Sequence, residues 1–373
     1  MSLLTIFVSK CNNFYDWQSE ALIRSFNRLK IDGEIIRLNV CNNIDSSTNM
    51  FVYKSNNFNQ NTWYTENKPS IVKRYIEEKK PKNEFLLLID SDTVFKNIID
   101  LNYIKKIVKP GVTLTSSHNN LPNFITNESH PYGFYIIHNK DALKLLEHWN
   151  FHYKHIEKEL NIDEEHKFKR NWIAEIYSYS LALKSTDIKN IVDNTMVLDV
   201  GNEPYQQINP KMLKYSSEYI VDKIHFNKLN YLYLNMSKCS GSVLENSFAT
   251  KETLLKDMIS IENTHIINLG FCEYYDYNCN KTCKPEYVKI INDNLKFIKR
   301  SWSSCSDQHI DCEKWVSFDQ CNLNKKFMEN NCRKSCNFCG HKNSRYYIFL
   351  FILFVPSLFY KKKKPLKEKE HIV

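Results

Sequence analysis

Two acidic residues stand directly after an apolar run in the stretch NEFLLLIDSDTVF, residues 83–95. Asp90 and Asp92 are separated by one residue, at the point where the five apolar residues FLLLI end. A carboxylate pair at this spacing can share a hard divalent cation, Mn²⁺ or Mg²⁺, which in turn neutralises a diphosphate leaving group. Asp and Ser are also ordinary turn residues after a strand, so the spacing alone leaves a plain acidic turn as the alternative.

The elements that must position this pair alternate between strand and helix from residue 3 to about residue 190. Four apolar segments are typical of buried strands: LLTIFVS, EIIRLNV, EFLLLID and GFYIIH. Three further segments are typical of amphipathic helices: WQSEALIRSFNRL, KPSIVKRYIEEKK and NWIAEIYSYSLALKS. We expect Asp16 to cap the first of these helices, and Pro69 to lie in the first turn of the second.

This alternation predicts an α/β fold, with a Rossmann-like, mostly parallel sheet that is covered by helices on both faces. In open sheets of this class, ligands bind beyond the carboxyl ends of the strands. Asp90 and Asp92 lie at such an end.

The net charge of +9 does not indicate a nucleic-acid-binding protein. The last thirteen residues, KKKKPLKEKEHIV, hold six Lys against two Glu and therefore carry +4 of that charge. The rest of the chain shows no basic stripe with interleaved aromatic residues. We therefore expect no nucleic-acid partner.

Six of the 12 cysteines fall within residues 305–339. This density is typical of a disulfide scaffold formed in an oxidising compartment, and six cysteines allow fifteen pairings. Bound zinc is the alternative for the segment CRKSCNFC, but a second, separated Cys-x2-Cys pair is missing and His is scarce there. A unit of this size cannot bury enough apolar surface to fold without such bridges.

The run YYIFLFILFVPSLFY, residues 346–360, is followed at once by four Lys. As a helix it would span roughly 22 Å of the ~30 Å hydrocarbon core of a membrane, and flanking Tyr, Arg and Lys side chains can make up part of the difference. We expect a single-pass transmembrane helix, with a buried core helix as the alternative, and a cytosolic tail at residues 361–373. Residues 1–345 would then lie in the ER or Golgi lumen, where three sequons could be glycosylated: Asn127, Asn235 and Asn280.

Six segments occur in an order and spacing that resemble one group of enzymes. They are FYDWQSEALIRSF (14–26), NKPSIVKRYI (67–76), FLLLIDSD (85–92), YIIHNKDAL (135–143), NWIAEIYSYSLAL (171–183) and IHFN (224–227). Over roughly residues 3–230 the chain resembles the peptidyl serine α-galactosyltransferases and the related hydroxyproline O-arabinosyltransferases. The resemblance implies a GT-A fold and the transfer of galactose or arabinose from a UDP-sugar to a Ser or hydroxyproline hydroxyl, with retention of anomeric configuration.

The resemblance also implies a metal site. Asp90 and Asp92 match the Asp-x-Asp motif of the family and would bind Mn²⁺ or Mg²⁺ that bridges the UDP phosphates. His225 in IHFN matches the His of a His-Tyr motif and would be the third metal ligand. Phe226 replaces the Tyr here and no Gly follows, so a core His on a strand is the alternative for His225.

Further residues match family motifs that, by the resemblance, contact the UDP-sugar donor. Asn67 and Lys68 match an Asn-Lys-Pro motif, in which Lys68 would pair with a phosphate or sugar hydroxyl; a helix cap and a solvated lysine are the alternatives. Gln18 matches the Gln of a Trp-Gln pair and would hydrogen-bond the nucleotide, whereas we expect Trp17 to belong to the core.

Trp172 and Glu175 match a Trp-x-x-Glu-Met-Tyr block, in which Ile176 replaces the Met. Glu175 would orient donor or acceptor, while the metal and Lys68 would stabilise the charge on the leaving phosphate. His138, at the end of the fourth strand segment, either faces the cleft or is structural.

A second resemblance covers Cys305–Cys339, which is similar to ShKT domains in Asp307, Trp315, KKFMENNCRKSC and the terminal Cys-x2-Cys. It implies the bridges Cys305–Cys339, Cys312–Cys332 and Cys321–Cys336. We expect five regions: a transferase domain at 1–270, a Cys-containing linker at 271–304, the ShKT domain at 305–339, a transmembrane helix at 346–360 and the basic tail at 361–373.

Together these expectations describe a membrane-anchored, metal-dependent glycosyltransferase that takes a UDP-sugar and modifies a secreted or cell-wall glycoprotein. The ShKT domain would tether the enzyme or dock its acceptor. The alternative is a non-catalytic, membrane-displayed ShKT binding protein whose transferase domain is degenerate.

Overall fold

A computed structural model describes most of the chain, namely residues 2–40, 64–118, 130–159, 167–201, 209–216, 218–251, 253–303, 307 and 311–338. The chain divides into two compact units, Met1–Ser304 and Cys305–Val373. The boundary between the units coincides with the start of the predicted ShKT domain.

The first unit is a mixed α/β structure. Its strands are β1 (Leu3–Lys10), β2 (Gly33–Val40), β3 (Phe85–Ile89), β4 (Thr93–Phe95), β5 (Val112–His118), β6 (His130–His138), β7 (Lys189–Val192), β8 (Val197–Asp199), β9 (Met212–Lys214), β10 (Tyr219–Val221) and β11 (Ile224–Phe226). Its helices are α1 (Asn13–Arg28), α2 (Tyr64–Lys79), α3 (Leu101–Ile107), α4 (Asn139–Glu159), α5 (Lys167–Thr186), α6 (Leu255–Cys279) and α7 (Pro285–Ser303).

The central sheet has six strands in the order β2-β1-β3-β6-β5-β7. All of its strands run parallel except β6, which is antiparallel to both β3 and β5. Only residues 119–129 separate β5 from β6, and a parallel crossover needs a dozen or more residues. The mostly parallel sheet is therefore as expected, and the direction of β6 is the exception.

Helices cover both faces of this sheet, as the alternation predicts. Leu4, Ile6 and Val8 of β1 belong to a buried cluster with α2, α4 and α5. Leu3 and Phe7 of the same strand belong to a second buried cluster, with α1 and α3. Successive strand residues point to opposite faces, and burying each such side chain contributes about 1.5–3 kcal/mol. The two clusters together hold the carboxyl end of β3 in place.

Two details of the helix starts differ from the sequence prediction. Asn12, and not Asp16, caps α1, since its side chain accepts a hydrogen bond from the backbone N–H of Tyr15 at 3.1 Å. Asp16 instead pairs with Arg37, at 2.5 Å. Pro69 lies inside α2, because that helix begins five residues earlier at Tyr64.

The segment predicted as a linker, residues 271–304, instead contains the last nine residues of α6 and the whole of α7. Phe271 and Tyr275 are fully buried in the core cluster that α6 shares with α1. Gly270 allows the two helices to approach closely, since a Cβ there would lie 3.3 Å from the Cα of Ala21. The linker prediction is therefore wrong, and this segment is part of the first unit's core.

Two disulfides fasten the end of α6, Cys239–Cys279 and Cys272–Cys283. Cys11 is also disulfide-bonded. Within the described ranges, none of the helices is long and apolar enough to cross a membrane. The predicted transmembrane helix at residues 346–360 and the basic tail lie outside those ranges.

The described part of the second unit contains three short helices, α8 (Cys312–Ser317), α9 (Gln320–Leu323) and α10 (Lys325–Asn331). Its small core is formed around Cys312, Met328 and Cys332. The disulfides Cys312–Cys332 and Cys321–Cys336 are two of the three pairs that the resemblance implies. The third, Cys305–Cys339, lies outside the described residues.

Candidate functional site

Asp90 and Asp92 lie on the short segment between β3 and β4, at the carboxyl end of β3. β4 pairs antiparallel with β9 in a register that sets Thr93 opposite Lys214. The backbone N–H of Tyr215 extends this pairing by donating to the carbonyl oxygen of Asp92 at 2.9 Å. The pairing of two three-residue strands thus brings the end of β9 beside the acidic residues.

Three lysine side chains contact the four carboxylate oxygens of Asp90 and Asp92. Lys68 on α2 donates to Asp90 Oδ1 at 2.6 Å. The ammonium group of Lys214 bridges the pair, 2.5 Å from Asp90 Oδ2 and 3.0 Å from Asp92 Oδ1. Lys228, the first residue of a 3₁₀ helix, donates to Asp92 Oδ2 at 2.6 Å.

Glu175 on α5 completes the arrangement. Its Oε1 accepts a hydrogen bond from the Lys68 ammonium at 2.5 Å, and both side chains are almost completely buried. The indole N–H of Trp149 donates to the backbone oxygen of Glu175 at 3.2 Å, which fixes this turn of α5 against α4. We call the six residues the lysine–carboxylate cluster: Lys68, Asp90, Asp92, Glu175, Lys214 and Lys228.

The cluster fixes the charge states of its members. Burial raises the pKa of Asp90, but attraction by Lys214 and Lys68 outweighs burial and leaves that pKa well below its ordinary value of 3.8. Burial also raises the pKa of Asp92, and here Lys214 and Lys228 bring the net value below 3.8. Burial lowers the pKa of Lys68, but Asp90 and Glu175 outweigh burial and leave it above its ordinary 10.5. Both aspartates are therefore ionised and Lys68 is charged at neutral pH.

A tyrosine and a further carboxylate border the cluster. The Lys214 ammonium lies 5.5 Å from the centre of the Tyr132 ring, within cation–π range. The Tyr132 hydroxyl donates to Asp199 Oδ2 at 3.0 Å, and Ser216 Oγ donates to the same carboxylate at 2.6 Å. Burial raises the pKa of Asp199 above its ordinary value despite these hydrogen bonds. Asp199 is thus a third carboxylate close to Lys214, and it is partly buried.

His225 is not brought to the acidic pair. It lies on β11, and its Nε2 is 3.0 Å from Oε2 of Glu218, with both side chains about half exposed or more. The neighbouring Phe226 is buried and stacks on Tyr219 with ring centroids 4.6 Å apart. Because side chains alternate along a strand, a buried Phe226 directs His225 to the opposite side.

Gln18, which was predicted to hydrogen-bond the nucleotide, makes a hydrogen bond within α1. Gln18 is buried, and its amide donates to the backbone oxygen of Phe14 at 2.8 Å, within the same helix. Trp17 is fully buried in the core and stacks on Tyr215, with ring centroids 5.9 Å apart. Trp17 therefore has the core role expected of it.

For three other predicted site residues, the structure shows which helix or strand carries them. Asn67 lies on α2 and Trp172 on α5, and their side chains are outside the described part of the chain. His138 lies opposite Phe85, at the start of β3, because β6 runs antiparallel to β3. Its Nδ1 accepts a hydrogen bond from the backbone N–H of Lys140 at 3.2 Å. His138 is therefore at the far end of the sheet from Asp90.

Lys214, Lys228 and Asp199 are the site residues that the sequence did not reveal. Lys214 and Asp199 lie at the ends of three-residue strands, which are too short to show a periodic pattern. Lys228 directly follows the segment IHFN that was matched to the family's His motif. In this part of the chain, the residue that contacts the acidic pair is therefore Lys228 and not His225.

Asp90 and Asp92 are the candidate ligands for a divalent cation. In the part of the chain that the structure describes, no three His, Cys, Asp or Glu side chains are grouped so that they could hold a metal ion. Asp90 and Asp92 nevertheless share one cation position, since the Lys214 ammonium contacts an oxygen of each. Mg²⁺ is often held by one or two carboxylates together with substrate phosphates. The pair thus fits a metal that arrives with a diphosphate, and the predicted three-ligand set with His225 is not assembled.

The lowered pKa values of Asp90 and Asp92 make the first unit sensitive to acid. A carboxyl group whose pKa is lower in the folded than in the unfolded protein contributes stability above its unfolded pKa, and this stability is lost as the pH falls. We expect the free energy of unfolding to decrease below about pH 4, the ordinary range of Asp. Urea titrations between pH 7 and pH 3 check this. Asp90→Asn/Asp92→Asn should show a shallower pH dependence, and equal slopes would contradict the assignment.

Two known proteins are similar to this chain in amino-acid sequence. A peptidyl serine alpha-galactosyltransferase of Chlamydomonas reinhardtii is 22% identical over 90% of this chain and 55% of its own length. A peptidyl serine alpha-galactosyltransferase of Arabidopsis thaliana is 22% identical over 77% of this chain and 40% of its own length. The chain therefore spans roughly half the length of these relatives.

Two further comparisons concern the fold and the second unit. The crystal structure of the apo-form glycosyltransferase GlyE of Streptococcus pneumoniae TIGR4 aligns with a TM-score of 0.39 and 13% identity, over 63% of this chain and 61% of that one. Residues 304–339 match the family described as ShK domain-like. Both predicted resemblances are confirmed: the chain is similar to peptidyl serine alpha-galactosyltransferases over most of its length, and to ShK domains at residues 304–339.

Proposed function

We propose that the chain is a protein O-glycosyltransferase that moves a sugar, galactose or arabinose, from a UDP-sugar to a Ser or hydroxyproline hydroxyl. The observation that carries the proposal is the lysine–carboxylate cluster at the carboxyl end of β3. Ligands of open α/β sheets bind at this edge. Buried lysines next to a carboxylate pair suit a diphosphate and the cation that accompanies it. Similarity to peptidyl serine alpha-galactosyltransferases supports the same donor and acceptor classes.

Asp90 and Asp92 would hold a divalent cation, Mn²⁺ or Mg²⁺, and this cation would supply positive charge next to the leaving diphosphate. Lys68, Lys214 and Lys228 would bind the phosphate oxygens as point charges. Glu175 would position Lys68, because its carboxylate holds the buried ammonium at 2.5 Å. Removing water from these charges on donor binding strengthens their effect on the leaving group.

The proposed reaction replaces one bond to the anomeric carbon by another. The bond between that carbon and the UDP oxygen breaks, and a bond to the acceptor hydroxyl oxygen forms on the same face, so that configuration is retained. The acceptor proton passes to the departing phosphate oxygen. No separate protein base is needed in this scheme, and the lysines stabilise the negative charge that develops on UDP.

We also propose that the enzyme acts in the ER or Golgi lumen, anchored by residues 346–360. The disulfides of the described units support an oxidising compartment. The acceptor would be a secreted or cell-wall glycoprotein. The second unit would tether the enzyme or dock this acceptor.

We expect the purified chain to release UDP from UDP-galactose or UDP-arabinose in the presence of Mn²⁺. With a Ser- and Pro-rich peptide, mass spectrometry should detect an added hexose or pentose, and the mass of the adduct identifies the sugar. If wild-type protein neither hydrolyses a UDP-sugar nor modifies a peptide, then the non-catalytic ShKT binding protein becomes the better interpretation.

A further inference from the structure

Among the three lysines of the cluster, Lys214 is the one whose ammonium group touches both aspartates. Its Nζ is 2.5 Å from Asp90 Oδ2 and 3.0 Å from Asp92 Oδ1, and the side chain is almost completely buried. Lys68 and Lys228 each contact only one of the two aspartates. A divalent cation shared by the pair would therefore compete with Lys214, and not with the other two lysines.

Charge balance decides what can displace this lysine. When all members are ionised, the three carboxylates of the lysine–carboxylate cluster balance its three ammonium groups. A dication entering alone would leave the buried site with excess positive charge and Lys214 without its carboxylates, which is costly at low dielectric. A diphosphate entering alone would leave excess negative charge. Only the two together, a dication with its two positive charges and a UDP-sugar diphosphate with its two negative charges, preserve neutrality and offer Lys214 a new anionic partner.

We propose that Lys214 is an internal cation that occupies the metal position between Asp90 and Asp92, and that it exchanges these two carboxylates for a diphosphate oxygen when metal and nucleotide bind together. The inference rests on the proposed function. It makes Lys214 a ligand-binding residue that couples metal and nucleotide: each binds weakly alone and tightly in the presence of the other. Coupling of this kind is reciprocal, so UDP must raise the affinity for the metal by the same factor as the metal raises the affinity for UDP.

The test is a Mn²⁺ titration of the full chain by electron paramagnetic resonance, with and without UDP. In wild type we expect UDP to raise Mn²⁺ affinity by roughly 10–100-fold, within the usual range of coupling between sites. In Lys214→Met we expect Mn²⁺ alone to bind about tenfold more tightly, since its competitor is gone, and the enhancement by UDP to shrink to a few-fold.

Lys228→Met is the matched control. It removes a lysine from Asp92 but leaves the bridging position occupied. We expect it to weaken UDP binding while the enhancement of Mn²⁺ affinity stays close to that of wild type. Lys214→Gln serves where Lys214→Met does not fold, because an amide can still donate to both aspartates without a positive charge. Thermal melting verifies that each variant is folded.

Three results would overturn the inference: unchanged Mn²⁺ affinity in both Lys214 variants, equal losses of coupling in Lys228→Met and Lys214→Met, or tight Mn²⁺ binding to wild type without UDP. In each of these, wild type still binds Mn²⁺ and turns over a UDP-sugar, so the proposed function stands. Failure of wild type to bind UDP with Mn²⁺ at all would overturn both.

Discussion

Asp92→Asn is expected to reduce sugar transfer by about 10²–10³-fold, the usual cost of removing one electrostatic contact that stabilises a transition state. Asn has nearly the shape of Asp and can still accept a hydrogen bond from Lys214 or Lys228. It lacks the negative charge that holds a cation against the diphosphate. The measurement is UDP release from UDP-galactose or UDP-arabinose at saturating Mn²⁺, together with the mass of the modified peptide.

Asp222→Asn is the matched control for this substitution. Asp222 is an exposed residue between β10 and β11 with φ 54°, a left-handed conformation that Asn also adopts readily. We expect this variant to transfer sugar at the wild-type rate. If the Asp92→Asn protein is folded and transfers sugar at the wild-type rate, this result contradicts a role of the acidic pair in catalysis.

Lys68→Met is expected to lower the free energy of unfolding by about 3–5 kcal/mol, because it leaves the buried Glu175 carboxylate without its cation and removes one of the two cations that contact Asp90. The Lys68 ammonium is 2.6 Å from Asp90 Oδ1 and 2.5 Å from Glu175 Oε1, and its side chain is 3% exposed. Urea denaturation of the purified chain measures this loss as a lower midpoint. Lys68→Met/Glu175→Gln should lose less than the sum of the two single substitutions, since the residues are in direct contact.

Lys73→Met provides the comparison on the same helix. Lys73 forms only long, partly exposed ion pairs, 3.7 Å from Glu77 and 3.6 Å from Glu147. Its removal should cost no more than about 1 kcal/mol, as is usual for surface pairs. If Lys68→Met and Lys73→Met lower the midpoint equally, then the buried ion pairs of Lys68 do not stabilise the fold as described.

The parts of the fold that were predictable are those with long periodic patterns. β1, β3 and α5 each showed the apolar spacing of their class, and Asp90 and Asp92 follow one of them. The direction of β6 was not predictable from that spacing, because parallel and antiparallel buried strands have the same apolar pattern. The same limit applies to β9, whose pairing with β4 is a tertiary contact between two three-residue segments.

The segment mistaken for a linker shows a second limit. α6 carries buried polar residues among its apolar ones, including Glu262, Asn263 and Asn268. Their partners are distant in the sequence: Glu262 forms an ion pair with Lys96, and Asn268 bonds to the backbone of Leu244. A helix that buries polar side chains on several sides shows no clean amphipathic pattern, so α6 was not recognised as one helix that continues into residues 271–279 of the predicted linker.

The lysine–carboxylate cluster is expected to form late in folding, because part of it is synthesised long after its aspartates. Lys214 lies 124 residues beyond Asp90, and Lys228 lies 136 residues beyond Asp92. Contacts between such distant residues form only after the intervening chain has closed into a loop, which slows their appearance. On the ribosome, Asp90 and Asp92 emerge well before β9 exists. Every nascent or truncated intermediate that ends between Asp92 and Lys214 therefore carries two aspartates without this partner, and the cluster is complete only after Lys228 has been synthesised.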